Sequence, residues 1–216
     1  MEKILSGMTK TMDAVKPPRM TALRELHEAE TGPFSILIGT ILSARTKDEA
    51  TAKAVKALFS KYKNPKELAG AKIKDVEKII KSIGFFHVKS KRIIEVANII
   101  HTKHKDKVPD DLDILVQLPG VGRKTANCVL VYAFEKPAIP VDIHVHRISN
   151  RLGLVDTKNP EETEQELMKK IKKEYWIDIN DTFVMYGQNI CKPISPMCDV
   201  CKIKKSCKFY KSKNAS

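Results

Sequence analysis

Apolar residues recur at helical spacing along most of the chain. Ala50, Ala54, Ala57 and Leu58 form one stripe within residues 46–61, where Thr46 and Glu49 stand at capping-box spacing. Ile73, Val76, Ile79, Ile80 and Ile83 form a second, which the segment GFFHVKS interrupts; Ile93, Ile94, Ala97 and Ile100 form a third. NPKE at 64–67 and NPEE at 159–162 each offer an asparagine as N-cap and a proline as first helical residue. Further helices are expected over 162–176 and 181–190. The best strand candidate is AIPVDIHV at 138–145, and Pro140, which cannot donate to a ladder, weakens it. No internal repeat or low-complexity tract is present. The pattern predicts an all-α protein.

Composition is that of an ordinary globular chain: 216 residues, 42% hydrophobic, with nine glycines and eleven prolines. The charge is not ordinary. Thirty-nine Lys and Arg against 26 Asp and Glu leave a net +13, with a pI near 9.5. Both a solvated lysine-rich surface and a polyanion-binding protein fit that balance. The opening stretch MEKILSGMTKTM is too short in apolar residues for an export signal, and no segment approaches a membrane span. The expectation is therefore an intracellular protein with no membrane partner, in a compartment where disulfides are rare.

Candidate chemistry concentrates in three places. In LPGVGRKTAN, residues 111–117 read as a short helix, Leu118–Gly122 as a tight hairpin and Lys124–Ala133 as a second helix. Gly120 and Gly122 permit positive φ and remove the Cβ atoms that keep a ligand from the backbone. The amides of such a turn, with Val121 and Arg123 at a helix N-terminus, form a site for a phosphate oxygen. Lys124 stands where the helix dipole disfavours a cation, so its pKa is expected to fall. A neutral amine there could attack a sugar C1′ and form a Schiff base; a plain phosphate contact fits the same position.

The second place is VDIHVHR. Asp142 follows the apolar run PAIPV and precedes His144, His146 and Arg147. It suits an N-cap, and equally a carboxylate that stabilises an oxocarbenium-like sugar during glycosidic cleavage. The two histidines are two residues apart, which is poor spacing for a shared helix face. Third, Cys191, Cys198, Cys201 and Cys207 follow the spacing C-x6-C-x2-C-x5-C among five lysines. Four thiolates in a loop-rich tail fit tetrahedral zinc or a cubane iron–sulfur cluster. That tail holds too few apolar residues to fold by burial and needs a staple. Cys128, inside the second hairpin helix, reads as a core residue.

Together these features resemble the endonuclease III family of DNA base-excision repair glycosylases. LPGVGRKTAN, VDIHVHR and the cysteine spacing match in order and separation, and the likeness extends through ILSARTKDEAT and SIGFFHVKSKR, nearly the whole chain. The resemblance implies a six-helix barrel lobe over 26–136, with a helix–hairpin–helix at about 112–133. A cluster lobe of 1–25 and 137–216 follows, with the DNA in the cleft between the lobes. It implies a 4Fe-4S cluster on the four cysteines, Lys124 as Schiff-base nucleophile and Asp142 as the essential carboxylate. Arg45 and Phe85 occupy the loops that support a flipped nucleotide, where many members carry Gln and Leu. Bacterial members often carry a carboxylate where this chain has Val116. Gly120, Val121, Gly122, Arg123 and Lys192 are the other expected DNA contacts.

The implied function is a bifunctional glycosylase and AP lyase acting on oxidised pyrimidines in damaged double-stranded DNA. The protein would be a monomer, cytoplasmic and nucleoid-associated in a prokaryote. The alternatives are a monofunctional mismatch or uracil glycosylase of the same superfamily, and a non-enzymatic helix–hairpin–helix DNA-binding module.

Overall fold

The computed structural model describes residues 1–15, 21–29 and 31–213. Among the described residues the chain forms thirteen α-helices, two short 3-10 turns and no strand. The segment AIPVDIHV is not a strand: residues 135–142 run as irregular backbone and a helix begins at Ile143. No described helix is long and apolar enough to cross a membrane. The chain divides into two compact units, Thr21–Lys136 and Met1–Met20 with Pro137–Ser216.

The Thr21–Lys136 unit contains α2 (Ala22–Glu28), α3 (Pro33–Ser43), α4 (Asp48–Lys61), α5 (Pro65–Ala69), α6 (Ile73–Ile79), α7 (Phe86–His104), α8 (Leu112–Leu115) and α9 (Arg123–Phe134). Its centre is α3, opened by Pro33 and buried at every residue from Ser35 to Leu42. A helix apolar on all sides belongs in the interior. Its two deeply buried hydroxyls are satisfied locally: Ser35 donates to Thr31 O (2.6 Å) and Thr40 to Ile36 O (2.7 Å). Helices α2, α4, α7 and α9 pack around it. Residues 21–25, expected with the N-terminal segment, fall in this unit because Leu23 and Leu26 of α2 are buried here.

The asparagine caps form as their spacing indicates. Asn64 accepts from Glu67 N (2.9 Å) while Glu67 accepts from Lys63 N (2.7 Å), and Asn159 and Glu162 repeat the arrangement. Each is worth about 1 kcal/mol. The Thr46–Glu49 box, in contrast, does not form. Helix α4 starts at Asp48 with Lys47 as an N-cap that makes no side-chain bond. Thr46 Oγ1 is committed elsewhere, to the Gly84 amide (3.3 Å) and the Lys89 ammonium (3.1 Å). Helix α7 begins inside GFFHVKS, at Phe86, so the interruption is shorter than the apolar pattern predicts.

The other unit gathers α1 (Glu2–Val15), α10 (Ile143–Leu152), α11 (Pro160–Lys170), α12 (Trp176–Asn189) and α13 (Lys208–Lys213). Met8 and Met12 of α1 share a core with Val145, Ile148, Leu167 and Phe183. The helices expected over 162–176 and 181–190 break elsewhere. Helix α11 ends at Lys170, the buried Ile171 turns the chain, and its carbonyl takes the Trp176 indole N–H (2.9 Å) where α12 starts. Helix α1 also reaches the basic tail. Thr11 Oγ1 accepts from Lys202 N (3.0 Å), and Ile203 is buried in the same core as Met8.

Candidate active site

The hairpin is anchored from below. Asp111 caps α8 by accepting from the Asp113 and Ile114 amides (3.0 and 3.1 Å), and Leu115, Leu118 and Val121 are buried. Gly120 has φ +78°, a conformation that favours glycine, and a Cβ there would lie 2.8 Å from Arg92 Cδ, a flexible side chain that would have to shift. Gly122 is different. Its φ is −86°, and a Cβ there would meet nothing within 4 Å. A glycine that the fold does not require leaves the backbone accessible to a ligand. Gly122 is also the N-cap of α9 and has no side chain with which to cap it, an end suited to an anion.

Arg123 opens α9 and is exposed; Lys124 follows it and is half-buried. Val121 is held inside the turn. Its side chain is buried and its N–H already donates to Leu118 O (3.0 Å), so it supports the turn from inside. Cys128 is fully buried in α9.

Arg45 and Phe85 come from separate loops and meet, with the guanidinium 5.9 Å from the ring centroid. Phe85 is 63% exposed. Behind them lies a residue that local sequence does not reveal. Lys89 is buried, and its ammonium donates to Leu42 O (2.8 Å), Ala44 O (2.6 Å) and Thr46 Oγ1 (3.1 Å). Burial, then the charge of Arg92, pushes its pKa down to about 8. Within HVKSKR, Lys89 reads as one solvated charge among several; only its long-range acceptors distinguish it.

In the other unit, Asp142 is the N-cap of α10. Both cap bonds fall on Oδ1, from His144 N (2.8 Å) and Val145 N (2.9 Å), which leaves Oδ2 for another partner. The histidines take different partners: His144 Nδ1 is 3.1 Å from Arg147 Nη2, and His146 Nδ1 is 2.7 Å from Thr163 Oγ1. Arg147 also donates to Gly187 O and Cys191 O (3.1 and 3.0 Å), and burial lowers its pKa.

Cys191, Cys198, Cys201 and Cys207 line one cavity walled by Ile148, Leu152, Ile190 and Ile203. None is in a disulfide. The Tyr186 hydroxyl donates to Cys201 Sγ (2.9 Å) and Arg151 to Cys191 Sγ (3.3 Å). Arg151 further holds the loop by donating to Lys192 O and Pro193 O (2.7 and 2.8 Å), while the Lys192 residue is exposed. Burial, then the neighbouring cysteines, pushes the Cys198 thiol up, and burial does the same at Cys207. Thiolates cannot accumulate in an apolar cavity unless a cation offsets them. Donors aimed at two of the sulfurs suit anionic ligands. The donor set therefore fits a metal centre.

Residues 38–173 match the model of the HhH-GPD superfamily base excision DNA repair protein. The chain belongs to that superfamily. Within it, the chain is 52% identical over 182 residues to the endonuclease III of Thermotoga maritima, spanning 84% of this chain and 85% of the relative. The fold of this HhH-GPD protein superposes on a trapped endonuclease III–DNA covalent intermediate with a TM-score of 0.83 at 35% identity, covering 99% of this chain and 96% of that one. It also superposes on a thermostable thymine-DNA glycosylase with a TM-score of 0.81 at 25% identity, covering 98% and 96%.

Proposed function

We propose that the chain is a bifunctional DNA glycosylase and AP lyase of base excision repair, acting on oxidised pyrimidines in double-stranded DNA. The observation that carries the reading is Lys124, half-buried at the uncapped N-terminus of α9 beside a glycine the fold does not need. An amine at that helix end stands within reach of a nucleotide held by the turn. Gly120, Gly122 and Arg123 grip the backbone phosphates, with Lys192 adding a contact from the cysteine loop.

The target nucleotide leaves the stack, and Arg45 and Phe85 support the opened duplex. The Lys124 amine attacks C1′, the glycosidic bond breaks with its electron pair leaving on the base, and Asp142 offsets the charge on the sugar. The nitrogen loses a proton, the C1′–O4′ bond breaks with its electron pair and a proton going to O4′, and the N–C1′ bond becomes a Schiff base. A C2′ proton is then lost, and the 3′ phosphate leaves by β-elimination.

Cys191, Cys198, Cys201 and Cys207 would hold a 4Fe-4S cluster. The four sulfurs share one cavity, and the family resemblance favours a cluster over a lone zinc on this ligand set. When bound, the cluster supplies a covalent anchor for the basic loop carrying Lys192. The same reading takes the protein as a monomer acting on the nucleoid in a prokaryotic cytoplasm.

Borohydride trapping on duplex DNA carrying thymine glycol or an abasic site tests the assignment. Wild type should form a covalent adduct that Lys124→Ala does not. Base release without an adduct would overturn the lyase and favour a monofunctional glycosylase, a reading compatible with the likeness to the thymine-DNA glycosylase.

A further inference from the structure

Arg45 and Phe85 share a backbone peculiarity. Both adopt the left-handed region, with φ of 55° and 59°. Residues bearing a Cβ stay there only where the surroundings over-determine them. Lys105, Asp106, Glu135 and Ser195 also have positive φ; Lys105 and Glu135 are helix C-caps, where that conformation is routine. Arg45 follows the C-cap of α3, and Phe85 precedes the first residue of α7.

One residue acts on both loops. The Lys89 side chain reaches Leu42 O and Ala44 O on the N-terminal side of Arg45 and Thr46 Oγ1 on its C-terminal side. Thr46 Oγ1 also accepts the Gly84 amide (3.3 Å), immediately before Phe85. The Lys89 backbone amide donates to Phe85 O (3.0 Å). Gly84 allows the loops to approach: a Cβ there would lie 2.9 Å from Arg45 O. An ammonium has three N–H donors and here meets three acceptors, two of them carbonyls at the negative end of α3. The residue is 5% exposed, so it cannot itself grip a phosphate.

We propose that Lys89, acting through Thr46 and Gly84, is a positioning residue that locks the Arg45 and Phe85 loops into one preformed wedge, so that duplex opening needs no loop ordering when DNA arrives. The inference rests on the wedge roles in the proposed function. Preorganisation of this kind spares the binding step the entropy of ordering two loops.

The test uses the full chain and a duplex with 2-aminopurine opposite a tetrahydrofuran abasic analogue, which cannot be cleaved. Wedge insertion unstacks the probe and raises its fluorescence. Lys89→Met keeps an unbranched side chain one atom shorter and removes all three donors. At saturating protein it should lose most of the fluorescence rise, and its trapping rate on a duplex abasic site should fall about tenfold or more relative to its rate on single-stranded DNA. Thr46→Val, which leaves Lys89 its two carbonyls but cuts the link to Gly84, should show a smaller change in the same direction and decides the matter if Lys89→Met does not fold. A wild-type fluorescence rise in both variants, or an equal loss of rate on single and double strands, would overturn the proposal. Absence of any wild-type adduct would instead overturn the enzymatic reading, while the fluorescence comparison, which needs no chemistry, still decides the brace.

Discussion

The two hairpin glycines should respond in opposite ways to the same small change. In Gly120→Ala the new Cβ sits at φ +78° and 2.8 Å from Arg92 Cδ. The left-handed conformation costs about 1 kcal/mol for a residue with a Cβ. Moving Arg92, a flexible side chain, brings the total to about 1.5 kcal/mol. In Gly122→Ala the new Cβ meets nothing within 4 Å. Alanine is a poorer N-cap than glycine, but it restricts the unfolded chain, so the net change should stay within about 0.5 kcal/mol. Binding should reverse the order of stability. A Cβ at Gly122 displaces a phosphate from the end of α9, and a charge-assisted hydrogen bond is worth about 1.5–3 kcal/mol. The variant should therefore bind about ten- to a hundredfold more weakly. Urea unfolding gives the first quantity. Fluorescence anisotropy on a duplex with an abasic analogue gives the second, with all variants at one salt concentration because phosphate contacts are salt-dependent. A Gly122→Ala protein with both wild-type stability and wild-type affinity would refute the reasoning, since the glycine would then serve neither the fold nor the ligand.

Asp142→Asn separates the two roles of that carboxylate. Asparagine can still accept from His144 N and Val145 N, so stability should move by less than about 0.5 kcal/mol, while single-turnover base excision should fall by about a hundredfold or more; unchanged excision would reduce Asp142 to a cap. Lys89 predicts a pH dependence. Folding lowers its pKa from 10.5 to about 8, so the unfolded chain holds the proton more tightly, and the group's contribution to stability grows as pH rises from about 8 toward 10.5. Urea unfolding across that window should show wild type gaining on Lys89→Met as pH rises; a constant difference would contradict the shift. Cys201→Ser removes a ligand of the proposed cluster. Its absorption should be lost and proteolysis of residues 192–207 should increase, whereas an intact colour would remove Cys201 from the ligand set.

Local signals were legible wherever both partners lie within a few residues. The caps at Asn64, Asn159 and Asp142 join side chains to amides two or three positions on, and all three form. The hairpin was readable because its glycines, its anchoring leucines and Lys124 are contiguous. Thr46 shows where such reading stops. Its spacing to Glu49 fits a cap, yet Gly84 and Lys89, 38 and 43 residues away, take its oxygen. A local rule names what a side chain can bond, not which competitor will reach it. The corner at Ile171 is similar, since the indole of Trp176 closes it and shifts two helix ends.

By itself the sequence determined the helical class, the turn and the caps at Asn64, Asn159 and Asp142, because each is encoded in spacing along a few turns of chain. Tertiary structure alone decided that α1 helps hold the cysteine tail through Thr11 and Lys202, 191 residues apart. It also decided that the Val121 side chain is buried, and that Lys89, one charge in a basic run, is buried against the end of α3. The physical reason is the same in each case: burial and hydrogen-bond competition are settled by which groups fold into contact, and no local pattern records a partner that distant.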